Sequence, residues 1–134
     1  MIVADTSLIA ALLLSTPVTG VAEAVLERDP EWTAPDLWRY EFKNVLATQV
    51  RVLGLPLDQA VALFEKAGEV ILEPEAEVEP GAILRLAHGR KLSAYDAEFL
   101  GLALALGVKI VTLDSGILKA APGVAVAPDV FVIA

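Results

Sequence analysis

Residues 93–114 read SAYDAEFLGLALALGVKIVTLD, and this stretch decides the fold. Ser93 is a favoured cap residue at the start of a run of good helix formers, and Gly107 stands where a left-handed stop would end it, which predicts a helix over 93–106. The β-branched run that follows predicts a strand over 109–112, with Asp114 two residues beyond Thr112. A helix of this length feeding directly into a short apolar strand is the unit from which parallel sheets are built.

The same alternation extends in both directions. Upstream, residues 1–4 form an apolar strand that ends on Asp5, and two helices over 7–14 and 18–28 are joined at Pro17. A short strand over 32–34 precedes a long amphipathic helix over 36–53 that stops at Gly54. Helix 58–68, strand 70–72 and a helix over 80–88 bounded by Gly89 complete the upstream half. Downstream come a short helix over 116–120 and a last strand over 124–126. Short strands alternating with helices imply an α/β fold with a parallel sheet covered on both faces.

Composition narrows the chemistry. The chain has 134 residues, one ordinary domain spanning 1–134, with no repeat or linker. It has no cysteine, which excludes disulfides, thiolate zinc sites and a cysteine nucleophile, and fits a reducing cytoplasm. The single histidine, His88, excludes paired-imidazole chemistry. The N-terminus lacks the basic start of a signal peptide, and the longest apolar run, ending at Lys109, is too short to span a bilayer. The high apolar content leads us to expect that part of the surface is covered by a partner. A net charge of −8 argues against an ordinary basic nucleic-acid binder, but carboxylates that gather a divalent cation are acidic by necessity.

In right-handed βαβ units the strand C-termini and helix N-termini share one edge of the sheet, where ligands bind. Asp5 and Asp114 follow the first and fourth strands, Asp96 lies in the first turn of the 93–106 helix, and Glu41 in the second turn of the 36–53 helix. All four acids belong to that edge. At about 100° per residue, Glu41 falls with Leu37, Val45, Thr48 and Val52, not with Arg39, Lys43 and Arg51. A carboxylate on an apolar face is costly unless it is paired or holds a cation. Mg²⁺ and Mn²⁺ take such oxygen ligands, and a cation so held can activate water toward a phosphodiester.

Each acid also has a plain structural reading. Asp5 and Asp114 are candidate helix caps, Ser93 and Asp96 fit a capping box, and Glu41 could pair with an arginine. Asn44 could orient Glu41 or simply face solvent. Thr6, Ser7, Thr112 and Ser115 offer hydroxyls to support the acids, or act as caps. Arg90 and Lys91 could meet phosphate or form a solvated loop. Asp36 reads as an N-cap, His88 as a surface residue, and Trp32, Trp38, Tyr40 and Phe42 as core or subunit interface.

Four motifs in order carry a family resemblance. Val3-Ala-Asp5-Thr-Ser7, Tyr40-Glu41-Phe-Lys-Asn44, Ser93-Ala-Tyr-Asp96-Ala and Val111-Thr-Leu-Asp114-Ser-Gly resemble the motifs of PIN domains, and the short chain most resembles VapC-type toxins of toxin–antitoxin pairs. The resemblance implies an α/β/α sandwich around a parallel sheet of about five short strands. It implies a ribonuclease of single-stranded RNA that uses Mg²⁺ or Mn²⁺, with Asp5, Glu41, Asp96 and Asp114 as the catalytic, metal-binding acids. It also implies a homodimer held inactive by a VapB-type antitoxin. Some members carry a further acid after the fourth motif, where this chain has Ser115-Gly116. Two phosphoryl-transfer folds fit poorly: a receiver domain needs paired acids after its first strand, and a haloacid-dehalogenase-type phosphatase needs Asp-x-Asp where position 7 is Ser. A catalytically silent PIN-like module that only binds protein or RNA is the remaining alternative.

Overall fold

The structure, a computed structural model, describes residues 1–134. Five strands, β1 (Ile2–Ala4), β2 (Trp32–Thr33), β3 (Ile71–Leu72), β4 (Ile110–Val111) and β5 (Ala125–Val126), form one sheet in the order β3-β2-β1-β4-β5. Every pairing is parallel, with Val3 opposite both Thr33 and Ile110. Ile2, Val3, Ala4, Ile110 and Val111 are almost wholly buried.

Eight helices connect and cover them: α1 (Thr6–Leu13), α2 (Thr19–Arg28), α3 (Leu37–Leu53), α4 (Leu57–Val70), α5 (Pro80–Arg90), α6 (Ala94–Leu106), α7 (Ser115–Ala120) and α8 (Pro128–Ile133). The first four pack on one another with α8 against α2, while α5 packs on α6. The sandwich predicted from the sequence is therefore present. The middle of helix α6, from Phe99 to Ala103, is buried because β1 and β4 lie along one side and α5 along another. Gly101 permits the close approach of α5: a Cβ there would come within 2.8 Å of Ile83 Cδ1. None of the helices is long and apolar enough to cross a membrane.

Several local expectations are corrected. Helix α5 runs through Gly89 and ends at Lys91, which takes φ +56° in the left-handed region. The turn lets Leu92 N donate to Ala87 O at 3.0 Å and places the Leu92 side chain against the core, the pairing that commonly closes a helix. Val70 finishes α4 and does not begin β3. Asp36 stands at the N-cap position of α3 but makes no side-chain capping bond; its carboxylate meets Arg39 Nε at 3.4 Å instead. Trp32, Trp38 and Phe42 are core, but Tyr40 is exposed.

Strand order places the site. From β1 the chain winds to β2 and β3 on one side, then returns to β4 on the other side of β1. The reversal opens a crevice beyond the C-terminal ends of β1 and β4, where neighbouring connections diverge. Asp5 and Thr112 are the first residues past those two ends.

Candidate functional site

Asp5 is the most constrained of the four acids. It caps α1 and is only 5% exposed. Its Oδ1 accepts from Ser7 Oγ at 2.7 Å and from Leu8 N at 3.2 Å, and its Oδ2 accepts from Thr112 Oγ1 at 2.6 Å. Thr112 Oγ1 in turn accepts from Asp114 N at 2.9 Å, and Ser7 Oγ accepts from Leu113 N at 3.0 Å. The two hydroxyls thus tie the end of β1 to the loop after β4. Burial pushes the Asp5 carboxyl from its ordinary 3.8 up to about 6; the bonds from Thr112, Ser7 and Leu8 oppose the rise, and the charge of Asp114 adds to it.

The other three acids are held more loosely. Asp114 caps α7, its Oδ2 accepting from Ile117 N at 2.8 Å. Asp96 sits in the first turn of α6, where Ser93 Oγ accepts from its backbone N at 3.1 Å. Burial and then the charge of Asp114 raise the Asp96 carboxyl above its usual range, against the lowering effect of the Ser93 hydroxyl. Glu41 is half-buried beside the apolar stripe of Trp38, Phe42 and Leu46, and its Oε1 accepts from Thr6 Oγ1 at 2.6 Å. Thr6, not Asn44, makes the bond to Glu41.

All four acids line one open cavity of about 320 Å³, together with Thr6, Ser7 and Asn44. Val45 and Phe99 form its apolar walls. These two were not among the residues expected from sequence, although each lies one helical turn beyond a site acid. No lysine, arginine or histidine lines the cavity, and none of the four acids is in a salt bridge. The readings of Asp5 and Asp114 as caps are therefore correct without displacing the functional one, because each capping carboxylate also lines the cavity, while Ser93 caps α6 from outside it.

Asn44 lines the cavity at its exposed rim, where its backbone carbonyl, not its side chain, accepts a hydrogen bond from Thr48 Oγ1. Not every expected participant reaches the site. Ser115 is exposed at the start of α7, outside the cavity lining. Arg90 Nη1 donates to Ala120 O at 2.7 Å, tying the end of α5 to the end of α7, and neither Arg90 nor Lys91 lines the cavity.

The donor set suits a hard divalent cation: carboxylate oxygens, hydroxyls and no competing positive charge. As the side chains stand, however, no three of the acids are gathered tightly enough to meet a single ion. Asp5 is fixed by its three bonds, so closing the set requires Glu41, Asp96 and Asp114 to turn toward it. The mutual repulsion among these acids is what a bound cation would relieve.

Comparison with known proteins assigns the family and agrees with the fold. The PIN domain family model matches residues 2–122. Ribonuclease VapC3 of Pyrobaculum aerophilum is 34% identical over 118 residues, covering 84% of this chain and 88% of that protein. The crystal structure of PAE2754, also from Pyrobaculum aerophilum, superposes with a TM-score of 0.75 at 25% identity, covering 98% of this chain and 92% of that one. With its five-stranded parallel sheet and its acids at the β1/β4 crevice, this chain belongs to the PIN-domain family and is similar to its VapC-type members.

Proposed function

We propose that the chain is a metal-dependent ribonuclease that hydrolyses phosphodiester bonds in single-stranded RNA. The observation that carries this reading is a cavity lined by four carboxylates and no basic side chain, in a chain whose relative is a VapC ribonuclease. Asp5, Glu41, Asp96 and Asp114 would hold Mg²⁺ or Mn²⁺. Bound there, such an ion would supply Lewis-acid polarisation of the phosphate and would activate water.

The chain's own groups do the positioning. Thr112 and Ser7 fix Asp5, Thr6 turns Glu41 toward the cavity, and the Ser93 cap sets the first turn of α6 that carries Asp96. His88, the single imidazole, is exposed and outside the cavity, so proton transfer falls to water and carboxylates. Arg90 and Lys91 remain proposed phosphate contacts at the margin of the substrate path.

The biological setting that fits is the toxin of a VapBC-type pair: a cytoplasmic homodimer restrained by a VapB-type antitoxin. Apolar side chains exposed on α3 and α4, among them Leu53, Leu57 and Val61, offer surface for such partners. A second reading, a silent PIN-like module, has one observation in its favour, the incomplete convergence of the acids.

Cleavage of a mixed single-stranded RNA pool decides between them. The purified protein is expected to cut with Mn²⁺, to stop with EDTA, and to lose cutting in Asp96→Asn. Metal binding without cleavage of any RNA would favour the silent module.

A further inference from the structure

Tyr40 and Tyr95 are 66% and 64% exposed, far more open than the other aromatic side chains, which are buried or half-buried. They project from different helices, α3 and α6, yet line one cleft of about 390 Å³ that also includes Pro35, Asp36 and Glu98. Each tyrosine is the chain neighbour of a site acid, Tyr40 of Glu41 and Tyr95 of Asp96. Consecutive Cα atoms lie about 3.8 Å apart, so on both helices the cleft and the acid cavity are lined by adjacent positions, although they share no lining residue. Lys43 Nζ sits 4.7 Å from the centroid of the Tyr40 ring and places a positive charge beside it. Glu98 is half-buried on α6 and forms no ion pair. Asp36 is already engaged by Arg39.

An acidic chain that cuts a polyanion has a binding problem. With a net charge of −8 and no basic residue lining the acid cavity, attraction to phosphates is left to the cation and to basic side chains outside the cavity. A contact that does not depend on charge would add to that affinity. Stacking of bases on aromatic rings is such a contact, and it is strongest where rings stand free beside the strand's path.

We propose that the Tyr40–Tyr95 cleft is a nucleobase subsite, taking the base next to the phosphate held at the acid cavity. The proposal rests on the ribonuclease reading of that cavity. The Glu98 carboxylate selects a base that presents N–H donors. Guanine fits best, because its N1–H and N2–H₂ match the two oxygens of one carboxylate. Cytosine, adenine and uracil each set an acceptor beside their single donor group, so none of them satisfies both oxygens in this way.

The test uses short oligouridylates carrying one central G, C or A. Binding is read by fluorescence anisotropy with Ca²⁺, and cleavage rates with Mn²⁺. Wild type should prefer the G-containing strand. Tyr40→Ala and Tyr95→Ala should each lower affinity and kcat/KM by about 10- to 100-fold, mainly through KM. Tyr40→Phe and Tyr95→Phe, which keep the ring, should stay close to wild type, and Glu98→Gln should abolish the preference for G over A.

Alanine variants that bind and cut like wild type would overturn the subsite and leave the nuclease reading intact. Phenylalanine variants as impaired as the alanine ones would also overturn it, since stacking needs no hydroxyl. Loss of self-association in the alanine variants, seen by light scattering with RNA affinity unchanged, would assign the cleft to a subunit interface instead. Wild type that binds in the predicted order but never cuts would keep the subsite and sink the nuclease reading.

Discussion

The two sides of the acid cavity are built differently. On the strand side, Asp5 is buried and receives three hydrogen bonds, two of them from hydroxyls that also hold the loop after β4. On the helix side, Glu41 has one hydrogen bond from a side chain and Asp96 is anchored through its backbone. A carboxylate pinned in a dry place gives a cation a fixed point of reference. Carboxylates left partly free can adjust to its radius and to the substrate. The fixed side carries a stability cost, since a buried charge without a cation is unfavourable. The adjustable side carries its own cost at Asp96, where part burial and the charge of Asp114 disfavour the carboxylate.

The largest expected effect comes from removing the fixed charge. Asp5→Asn should lower RNA cleavage by at least about 10²–10³-fold, the range seen when one preorganised electrostatic group is lost, measured as kcat/KM on a defined RNA. The same substitution should raise the thermal midpoint of the ion-free protein near neutral pH, because it removes the buried charge. Loss of both activity and stability would contradict the contrast between the two sides.

The pH dependence follows from the same residue. Asp5 titrates near 3.8 in the unfolded chain and near 6 in the folded one, so between these values the folded state binds more protons. Stability of the ion-free protein should therefore fall as pH rises from about 4 to 6 and level off above. At about 1.4 kcal/mol per pH unit, the fall is on the order of 3 kcal/mol. Chemical denaturation in EDTA across that range measures it, and saturating Mn²⁺ should flatten the profile.

Thr112→Val sharpens the comparison. It strips one bond from Asp5 and the acceptor from Asp114 N, leaving buried polar groups unpaired. A loss of about 1–3 kcal/mol in stability is expected, with cleavage down about 10- to 100-fold as for a lost ligand-orienting contact. Thr6→Val is the matching change on the helix side. It frees a half-exposed Glu41 and should cost less than about 1 kcal/mol, with the weakest effect on cleavage in this series. Equal effects of the two threonine variants would erase the distinction.

Much of this was legible in the sequence because local signals and tertiary demands agree. The left-handed glycines Gly54 and Gly107 end their helices where expected, and the apolar strands β1 and β4 carry Asp5 and Asp114 to the same edge. The unread parts are those where tertiary contacts override local preference. Lys91 adopts a glycine-like conformation so that Leu92 can reach the core. The β-branched residues of α8 favour a strand, but α8 packs on α2, where Arg28 donates to the carbonyls of Val132 and Ala134. Arg90 was an open choice between phosphate and loop, and its bond to Ala120 O involves a residue 30 positions away that no local pattern reveals. Membership of the edge was readable for all four acids. Thr112 was readable as a supporting hydroxyl, but which acid it holds was not: its partner is Asp5, 107 residues away, not its neighbour Asp114.

The most direct test of the central claim is calorimetric titration of Mn²⁺ into the wild type, Asp5→Asn and Asp96→Asn. The account predicts saturable binding by the wild type, weakened at least about 10-fold in both variants because each removes a carboxylate from the set. Wild type that takes up no Mn²⁺, or variants that bind it as tightly as the wild type, would contradict the assignment of this cavity as a metal centre.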